Sequence, residues 1–88
     1  MNRKHIDNYL DFFDLTEHDI FLCEVCGSNQ MIDFHHIIKR SNHGDDTVEN
    51  IIACCRSCHN KAHHREKPHL NQEYLQGVHD RRMKNHLK

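Results

Sequence analysis

The sequence predicts a small α+β domain stapled by zinc. Its 88 residues are only 36 % hydrophobic and include no Trp, so apolar burial alone barely offsets the entropy of ordering the chain. Two C-x2-C pairs offer ligands for a stabilising metal ion. Apolar residues recur at helical spacing near the amino terminus and alternate further along, which predicts both helix and strand.

The amino-terminal stretch has the pattern of an amphipathic helix. Its apolar side chains stand at positions i, i+3, i+4 and i+7, with aspartates between them: Ile6, Tyr9, Leu10 and Phe13. We expect this helix to pack against the core and to carry no chemistry. Its acidic face should point away from any polyanion.

Two strands are expected in the first half of the chain. The apolar run Ile20-Phe21-Leu22-Cys23 leads into turn residues after Cys26, which predicts a strand entering a metal-binding knuckle. Residues 31–38 alternate in the manner of a strand. Residues 39–46 are polar and predict an exposed loop, whereas residues 48–55 fit either a helix or a short buried strand.

The last third of the chain predicts two helices. Residues 59–67 favour a helix that ends before Pro68, because the proline ring excludes helical continuation. A final helix is expected from about Asn71, a residue type favoured at N-caps, although Gly77 weakens it. We expect it to bury Leu70, Tyr74, Leu75 and Val78. No repeat or linker divides the chain, so one domain is expected over residues 1–88.

Compartment and charge narrow the classes of function. No apolar run approaches the roughly 20 residues that span a bilayer, and acidic residues follow the start where a secretory signal would be apolar. A cytoplasmic, reducing compartment is therefore expected, where paired cysteines indicate metal rather than disulfide. The net charge is -1, yet residues 1–38 are acidic and residues 39–88 are basic. The second half could face phosphate, or its charges could be solvated surface.

The cysteine spacing indicates a structural zinc site. Cys23 and Cys26 form one C-x2-C pair, and Cys55 and Cys58 form the other. Four thiolates close a tetrahedral Zn²⁺ site and leave no position for substrate. Cys54 could replace Cys55 but would break the knuckle spacing, so we interpret it as a small buried apolar residue.

Four segments complete a wider pattern: Cys23-Glu-Val-Cys26-Gly; Asp33-Phe-His35-His36-Ile-Ile; Glu49-Asn50-Ile-Ile-Ala-Cys-Cys55-Arg-Ser-Cys58-His59; and His63. In this order they closely resemble the HNH endonuclease family, in its four-cysteine zinc subgroup. The resemblance covers about residues 20–65 and leaves residues 1–19 and 66–88 as helical flanks. It implies a ββα-metal, treble-clef-like finger, and with it a second strand at residues 51–54.

The resemblance also implies roles for the site residues. His35 resembles a ligand of a catalytic divalent ion, and His36 resembles the general base that takes a proton from water. Neighbours on a strand point to opposite faces, so a division of roles is physically expected. Asn50 resembles the residue that orients the base through the loop between the strands. His59 resembles a further metal ligand, and His63 is either a third ligand or a phosphate contact.

His59 and His63 stand four residues apart, so on a helix both imidazoles could reach one ion. The other histidines lack motif positions and are expected to be surface or satisfied core residues: His5, His18, His43, His64, His69, His79 and His86.

The resemblance implies a metal-dependent DNA endonuclease that hydrolyses phosphodiester bonds, by nicking or double-strand cleavage, leaving a 5′-phosphate and a 3′-hydroxyl. Mg²⁺, Mn²⁺, Ni²⁺ or a second Zn²⁺ could serve as the catalytic ion. The alternative is a non-catalytic zinc-finger nucleic-acid-binding module, or an accessory subunit of a larger nuclease assembly. DNA is the expected partner, no membrane is expected, and the family analogy suggests a phage or mobile-element context.

Overall fold

A computed structural model describes residues 3–86 of the chain. Its regular elements are three helices and two strands, in the order α1 (Lys4–Phe12), β1 (Ile32–His36), β2 (Ile51–Cys55), α2 (Arg56–Ala62) and α3 (Gln72–His86). Two 3₁₀ turns, Arg40–Asn42 and Val48–Asn50, lie in the connection between the strands. The order contains the strand, strand, helix succession of a ββα finger, with a helix on either side.

The two strands pair antiparallel and form the whole sheet of the described residues. His35 lies opposite Ile52, and His36 lies opposite Ile51. Residues 51–55 therefore form a strand. The apolar spacing of residues 48–55 had been compatible with either a helix or a short buried strand. Every residue of β2 is buried, so this strand has no polar face and its apolar residues show no alternation.

Strand β2 contributes to two apolar clusters, one on each of its faces. One face turns Ile52 and Cys54 towards a cluster that also contains Cys23, Cys58 and Leu75 of α3. The other face turns Ile51 and Ala53 towards the aromatic side chains of α1 and the residues packed with them: Tyr9, Phe13 and Val48. The flanking helices thus complete a core that the central finger does not close by itself.

The strand predicted at residues 20–23 is wrong. Within the described part of the chain these residues form no regular element, and Ile20 and Leu22 are 75 % and 56 % exposed. The segment joins the sheet through one backbone hydrogen bond, from Glu24 N–H to the carbonyl of Ala53, at 2.9 Å. Its apolar residues belong to a turn that presents Cys23 and are not sheet core.

The second helix begins earlier and ends earlier than residues 59–67. Its N-cap is Cys55, whose sulfur accepts a hydrogen bond from the backbone N–H of Cys58, so the knuckle itself starts the helix. The helix ends at Ala62, and the chain turns through a left-handed backbone conformation at His64. The helix therefore stops well before Pro68, which is not its terminator.

The final helix begins where the sequence predicts. Asn71 caps it, because its side-chain oxygen accepts a hydrogen bond from the backbone N–H of Tyr74 at 2.8 Å. Leu75 is buried and both Leu70 and Val78 are half-buried, but Tyr74 is 49 % exposed, so its predicted burial is wrong. The buried stripe of α3 consists of Leu75 and His79 instead.

A buried polar network joins the flanking helices to the first knuckle. The carboxylate of Glu24 accepts hydrogen bonds from the Tyr9 hydroxyl (2.7 Å), the Ala53 backbone N–H (2.9 Å) and Nδ1 of His79 (2.8 Å). Nε2 of His79 in turn bonds the carbonyl of Val48. His79 is thus a satisfied core histidine, and one carboxylate ties α1, β2 and α3 together.

None of the helices within residues 3–86 has the length and apolar character needed to cross a bilayer.

Candidate active site and metal centres

Four cysteines converge on one point between the first turn and the start of α2. We call Cys23, Cys26, Cys55 and Cys58 the cysteine cluster; their sulfur atoms all lie within 4.8 Å of one another. The sulfurs of Cys26 and Cys55 are 3.6 Å apart. A tetrahedral ion with Zn–S bonds of about 2.3 Å requires sulfurs about 3.8 Å apart, whereas a disulfide requires about 2 Å. The cluster therefore fits a metal ion such as zinc.

The two halves of the cysteine cluster share one local geometry. The backbone N–H of Cys26 donates to the sulfur of Cys23 at 3.4 Å, and that of Cys58 donates to the sulfur of Cys55 at 3.5 Å. Burial acts against the charged thiolate at Cys23, yet backbone N–H groups lower the pKa of that thiol to about 7. Burial and neighbouring sulfurs raise the pKa of Cys58. A bound cation would hold all four as thiolates.

The fifth cysteine stands apart from this cluster. Cys54 is fully buried on β2 and packs in the core behind the knuckles. Burial raises the pKa of its thiol, which keeps it a neutral apolar group. This is the small buried residue that the spacing predicts.

Three histidines form a second candidate metal centre. We call His35, His59 and His63 the histidine cluster; one ring nitrogen from each lies within 4.8 Å of the others. Nε2 of His59 and Nε2 of His63 are 3.0 Å apart, so the two imidazoles point to a common position. His59 lies on α2 and His63 is the C-cap residue of that helix, and the packing of α2 against β1 brings both rings over His35. Three imidazoles fit a divalent ion and leave open coordination positions.

The position of His35 keeps its ring neutral. Burial, together with the charges of His59 and His63, lowers the pKa of His35 to about 4. Burial and His59 also lower the pKa of His63. Neutral imidazole is the form that binds metal, so His35 and His63 are suited to be metal ligands.

A carboxylate on β1 orients one imidazole of the histidine cluster. Oδ2 of Asp33 lies 3.0 Å from Nδ1 of His59 and 2.9 Å from Nε of Arg56. Burial opposes ionisation of Asp33, but the hydrogen bonds from Arg56 and His59 lower its pKa. The carboxylate thus fixes Nδ1–H of His59 and leaves Nε2 towards the common position.

His36 faces a different group of side chains. Its Nε2 lies 2.8 Å from Oδ1 of Asp46, and its ring lies 4.8 Å from that of His5, centroid to centroid. The guanidinium of Arg40 also contacts Asp46, at 3.2 Å. The hydrogen bond from His36 and the charge of Arg40 lower the pKa of Asp46. The two adjacent histidines therefore contact different groups of side chains.

Asn50 closes the loop between the strands. Its side-chain oxygen accepts from the backbone N–H of Ile38 at 2.8 Å, and its amide donates to the carbonyls of Ile38 (3.0 Å) and Asp45 (2.9 Å). This buried amide holds both ends of residues 38–45. The loop follows His36 and leads to Asp46, so the asparagine fixes the backbone on both sides of the Asp46 contact.

A shallow pocket of about 290 Å³ connects the two histidine environments. Its lining consists of the three residues of the histidine cluster with Phe34, His36, Lys39 and Arg40. Lys39 and Arg40 are exposed at its rim, where they could meet a phosphate. Arg40 also pairs with Asp46, and two other candidate phosphate contacts likewise have partners within the protein: Arg56 bonds Asp33, and Arg82 stacks on the ring of Phe13.

Sequence reasoning missed three side chains of this site. Asp33 could have been found, because it stands two residues before His35 and so shares its strand face. His5 and Asp46 carried no such signal. They meet His36 only because α1 and the inter-strand loop pack together.

A two-stranded sheet followed by a helix, with a cysteine cluster at the base and convergent imidazoles on strand and helix, defines a ββα-metal finger. The sequence profile of the HNH endonuclease family matches residues 23–65. The chain is also 35 % identical over 52 residues to the type IV methyl-directed restriction enzyme EcoKMcrA of Escherichia coli (strain K12). That match covers 49 % of this chain and only 19 % of the enzyme. No solved structure matches the chain.

Proposed function

We propose that this protein is a metal-dependent DNA endonuclease that hydrolyses phosphodiester bonds. The single observation that supports this best is the histidine cluster beside His36 in one open pocket. Three convergent imidazoles suit a divalent ion, and a fourth, that of His36, has different partners and can accept a proton. The match of residues 23–65 to the HNH endonuclease family supports the same class of reaction.

In this proposal His36 is the general base. Its imidazole takes a proton from water, the water oxygen attacks phosphorus, and the bond from phosphorus to the 3′ oxygen breaks. The leaving 3′ oxygen takes a proton from solvent, so the products are a 5′-phosphate and a 3′-hydroxyl. A bound divalent ion would supply Lewis acidity for the charge on the phosphoryl and leaving oxygens.

The other site residues have supporting roles. His35, His59 and His63 hold the catalytic ion, which is Mg²⁺, Mn²⁺, Ni²⁺ or Zn²⁺; imidazole ligands favour the later transition metals. The cysteine cluster holds a structural Zn²⁺. Asn50 positions His36 through the loop that it closes.

The substrate proposed is the DNA backbone rather than a particular sequence. The rim of the pocket offers Lys39 and Arg40, and no array of aromatic side chains lines the described part of that pocket for base stacking. We therefore propose nicking with low sequence specificity. Methyl-directed action is named for the E. coli relative, of which this chain covers a fifth, so methylated and unmethylated DNA should be compared directly.

Cleavage of supercoiled plasmid tests the proposal. Wild type, His36→Ala and the exposed-histidine control His18→Ala are each assayed with EDTA, Mg²⁺, Mn²⁺, Ni²⁺ or Zn²⁺, on methylated and unmethylated plasmid. Wild type and His18→Ala should nick only with added metal, whereas zinc-loaded, folded His36→Ala should not. If none of the proteins cuts under any condition but all bind DNA equally, the non-catalytic binding module or accessory subunit becomes the better account.

A further inference from the structure

We propose that Asp46 is a positioning residue for His36: its carboxylate holds Nε2–H of the imidazole, so that Nδ1 is the nitrogen that accepts the proton from water. This inference rests on the proposed function of His36. It adds a side-chain carboxylate, on the loop between the strands, to the apparatus that prepares the base.

The contact between the two side chains determines the tautomer. Oδ1 of Asp46 lies 2.8 Å from Nε2 of His36. An ionised carboxylate only accepts hydrogen bonds, so Nε2 must carry a hydrogen, since otherwise two lone pairs would face each other at that distance. Nε of Arg40 lies 3.3 Å from the same nitrogen. A protonated Nε2 cannot accept from Arg40, and Arg40 therefore acts as an ion-pair partner of Asp46.

The backbone around Asp46 is held in place from two sides. The side-chain amide of Asn8 on α1 donates to the backbone carbonyl of Asp46 at 2.8 Å. On the other side, Asn50 bonds the carbonyl of the preceding residue, Asp45, at 2.9 Å. These contacts fix the backbone that carries the carboxylate, and Arg40 pairs with the carboxylate itself at 3.2 Å.

The support for the base extends outside the segment that matches the family. Helix α1 provides both Asn8, which holds Asp46, and His5, whose ring lies against that of His36. Both residues precede residues 23–65, where the family match lies. For helix α1 the sequence predicted a packing role alone, but two of its side chains contact the base and its carboxylate partner.

The same side chains could be interpreted as a third metal site. His5, His36 and Asp46 offer ligand atoms within 4.8 Å of one another. The guanidinium of Arg40, however, already lies among them, with Nη2 at 3.2 Å from Oδ1 of Asp46 and 3.4 Å from Nδ1 of His5. A cation is thus present to balance the carboxylate, and the geometry favours support of the base over binding of an ion.

When His36 accepts the proton at Nδ1, its ring becomes positively charged while Nε2–H still points at the carboxylate. Asp46 then stabilises the charge that forms on the base. Its effect belongs to the reacting state more than to substrate binding, so loss of the carboxylate should lower kcat rather than raise KM.

The kinetic test compares Asp46→Asn with Asp45→Asn, which makes the same change at the neighbouring carboxylate, whose Oδ1 bonds Thr47 and not His36. Asp46→Asn should lower kcat by about 10- to 100-fold with KM within about threefold, the range seen when a residue behind a functional imidazole is changed. Asp45→Asn should stay within about twofold of wild type.

A readout of the imidazole itself separates this inference from the proposed nuclease activity. ¹⁵N NMR of zinc-loaded protein reports which ring nitrogen of His36 bears hydrogen, whether or not the protein cuts DNA. We expect Nε2–H in wild type and Asp45→Asn, and a mixture of tautomers in Asp46→Ala. If His36 carries its hydrogen on Nδ1 in wild type, or keeps its tautomer and kcat in both Asp46 variants, Asp46 does not position the base. If the tautomer responds but the wild type does not cut DNA under any condition, the proposed function fails and the positioning contact stands.

Discussion

Oδ2 of Asp33 lies 3.0 Å from Nδ1 of His59. This contact joins strand β1 to helix α2, which carries His59. The contact makes the carboxylate the partner of one nitrogen and leaves the other for a metal ion. Arg56, on the same helix, donates to the same carboxylate at 2.9 Å, so Asp33 is fixed as well.

Asp33→Asn should weaken binding of Ni²⁺ to the histidine cluster by about 10- to 100-fold, because a neutral amide oxygen holds Nδ1–H of His59 less strongly than a carboxylate does. Calorimetric titration of zinc-loaded protein with Ni²⁺ measures the change. Asp11→Asn, an exposed aspartate on α1, is the matched control and should bind as wild type does. Equal affinity in the two variants would show that Asp33 has no part in the metal site.

Loss of one member of the cysteine cluster should unfold the central finger. Cys58→Ala removes a metal ligand that also packs in the core, and the site contributes folding free energy only when its ion is bound. We expect loss of bound zinc and of the cooperative thermal transition, measured by metal analysis and circular dichroism. Cys54→Ala, which removes a buried sulfur outside the cluster, should keep one zinc per chain and a cooperative transition.

The pairing of His79 with Glu24 should stabilise the fold in a pH-dependent manner. Burial disfavours the charged imidazole, but the hydrogen bond and charge of Glu24, the Val48 carbonyl and the charge of Asp80 together raise the pKa of His79. The Tyr9 ring, 6.2 Å from that of His79, is the other titratable group facing it. A raised pKa gives stability that is complete below the unfolded value of about 6.5 and is lost as pH rises through the folded value.

His79→Gln should therefore lower the free energy of unfolding by about 3 kcal/mol at pH 6, since Glu24 stays buried without its charged partner. The deficit should shrink towards pH 9. Urea unfolding of zinc-loaded wild type and variant measures it, and protonation of the cysteine cluster is common to both proteins. A deficit that grows with pH would contradict a charged His79.

Two glycines should respond in opposite directions to alanine. A Cβ on Gly44 would overlap the carbonyl oxygen of Ile38 and lie 2.8 Å from that of Lys39, so the loop before Asp46 must shift. Gly44→Ala should cost about 1–3 kcal/mol. Gly77→Ala, on α3 with open space around it, should stabilise the protein by about 0.5–1 kcal/mol. Urea unfolding checks both, and equal effects would argue against the loop packing described.

Much of the site could be predicted from spacing. The C-x2-C pairs and the i, i+4 interval between His59 and His63 are local in sequence, and local geometry brings the side chains together. The resemblance to the HNH endonuclease family predicted the second strand and the different roles of His35 and His36. The roles in catalysis and the single domain over residues 1–88 stay predictions.

The errors have physical causes that a single sequence does not display. The run at residues 20–23 is apolar, yet a turn around metal ligands needs no sheet, so the hydrophobic pattern indicated a strand where none forms in the described chain. The buried face of α3 includes His79, a polar residue. The prediction considered apolar residues only, and so it assigned burial to Tyr74, which is exposed. The contacts of His5 and Asp46 with His36 depend on tertiary docking.

The start of α2 at the second knuckle should couple the two candidate metal centres thermodynamically. Cys58 and His59 are neighbours, Cys55 is the N-cap of the helix that carries His59, and His63 is its C-cap. An ion bound by the cysteines orders that helix turn, so it should raise the affinity of the histidines for theirs. Linkage is reciprocal: an ion on the histidines must tighten the cysteine site by the same factor. The supply of one metal would thereby set how much of the protein can use the other.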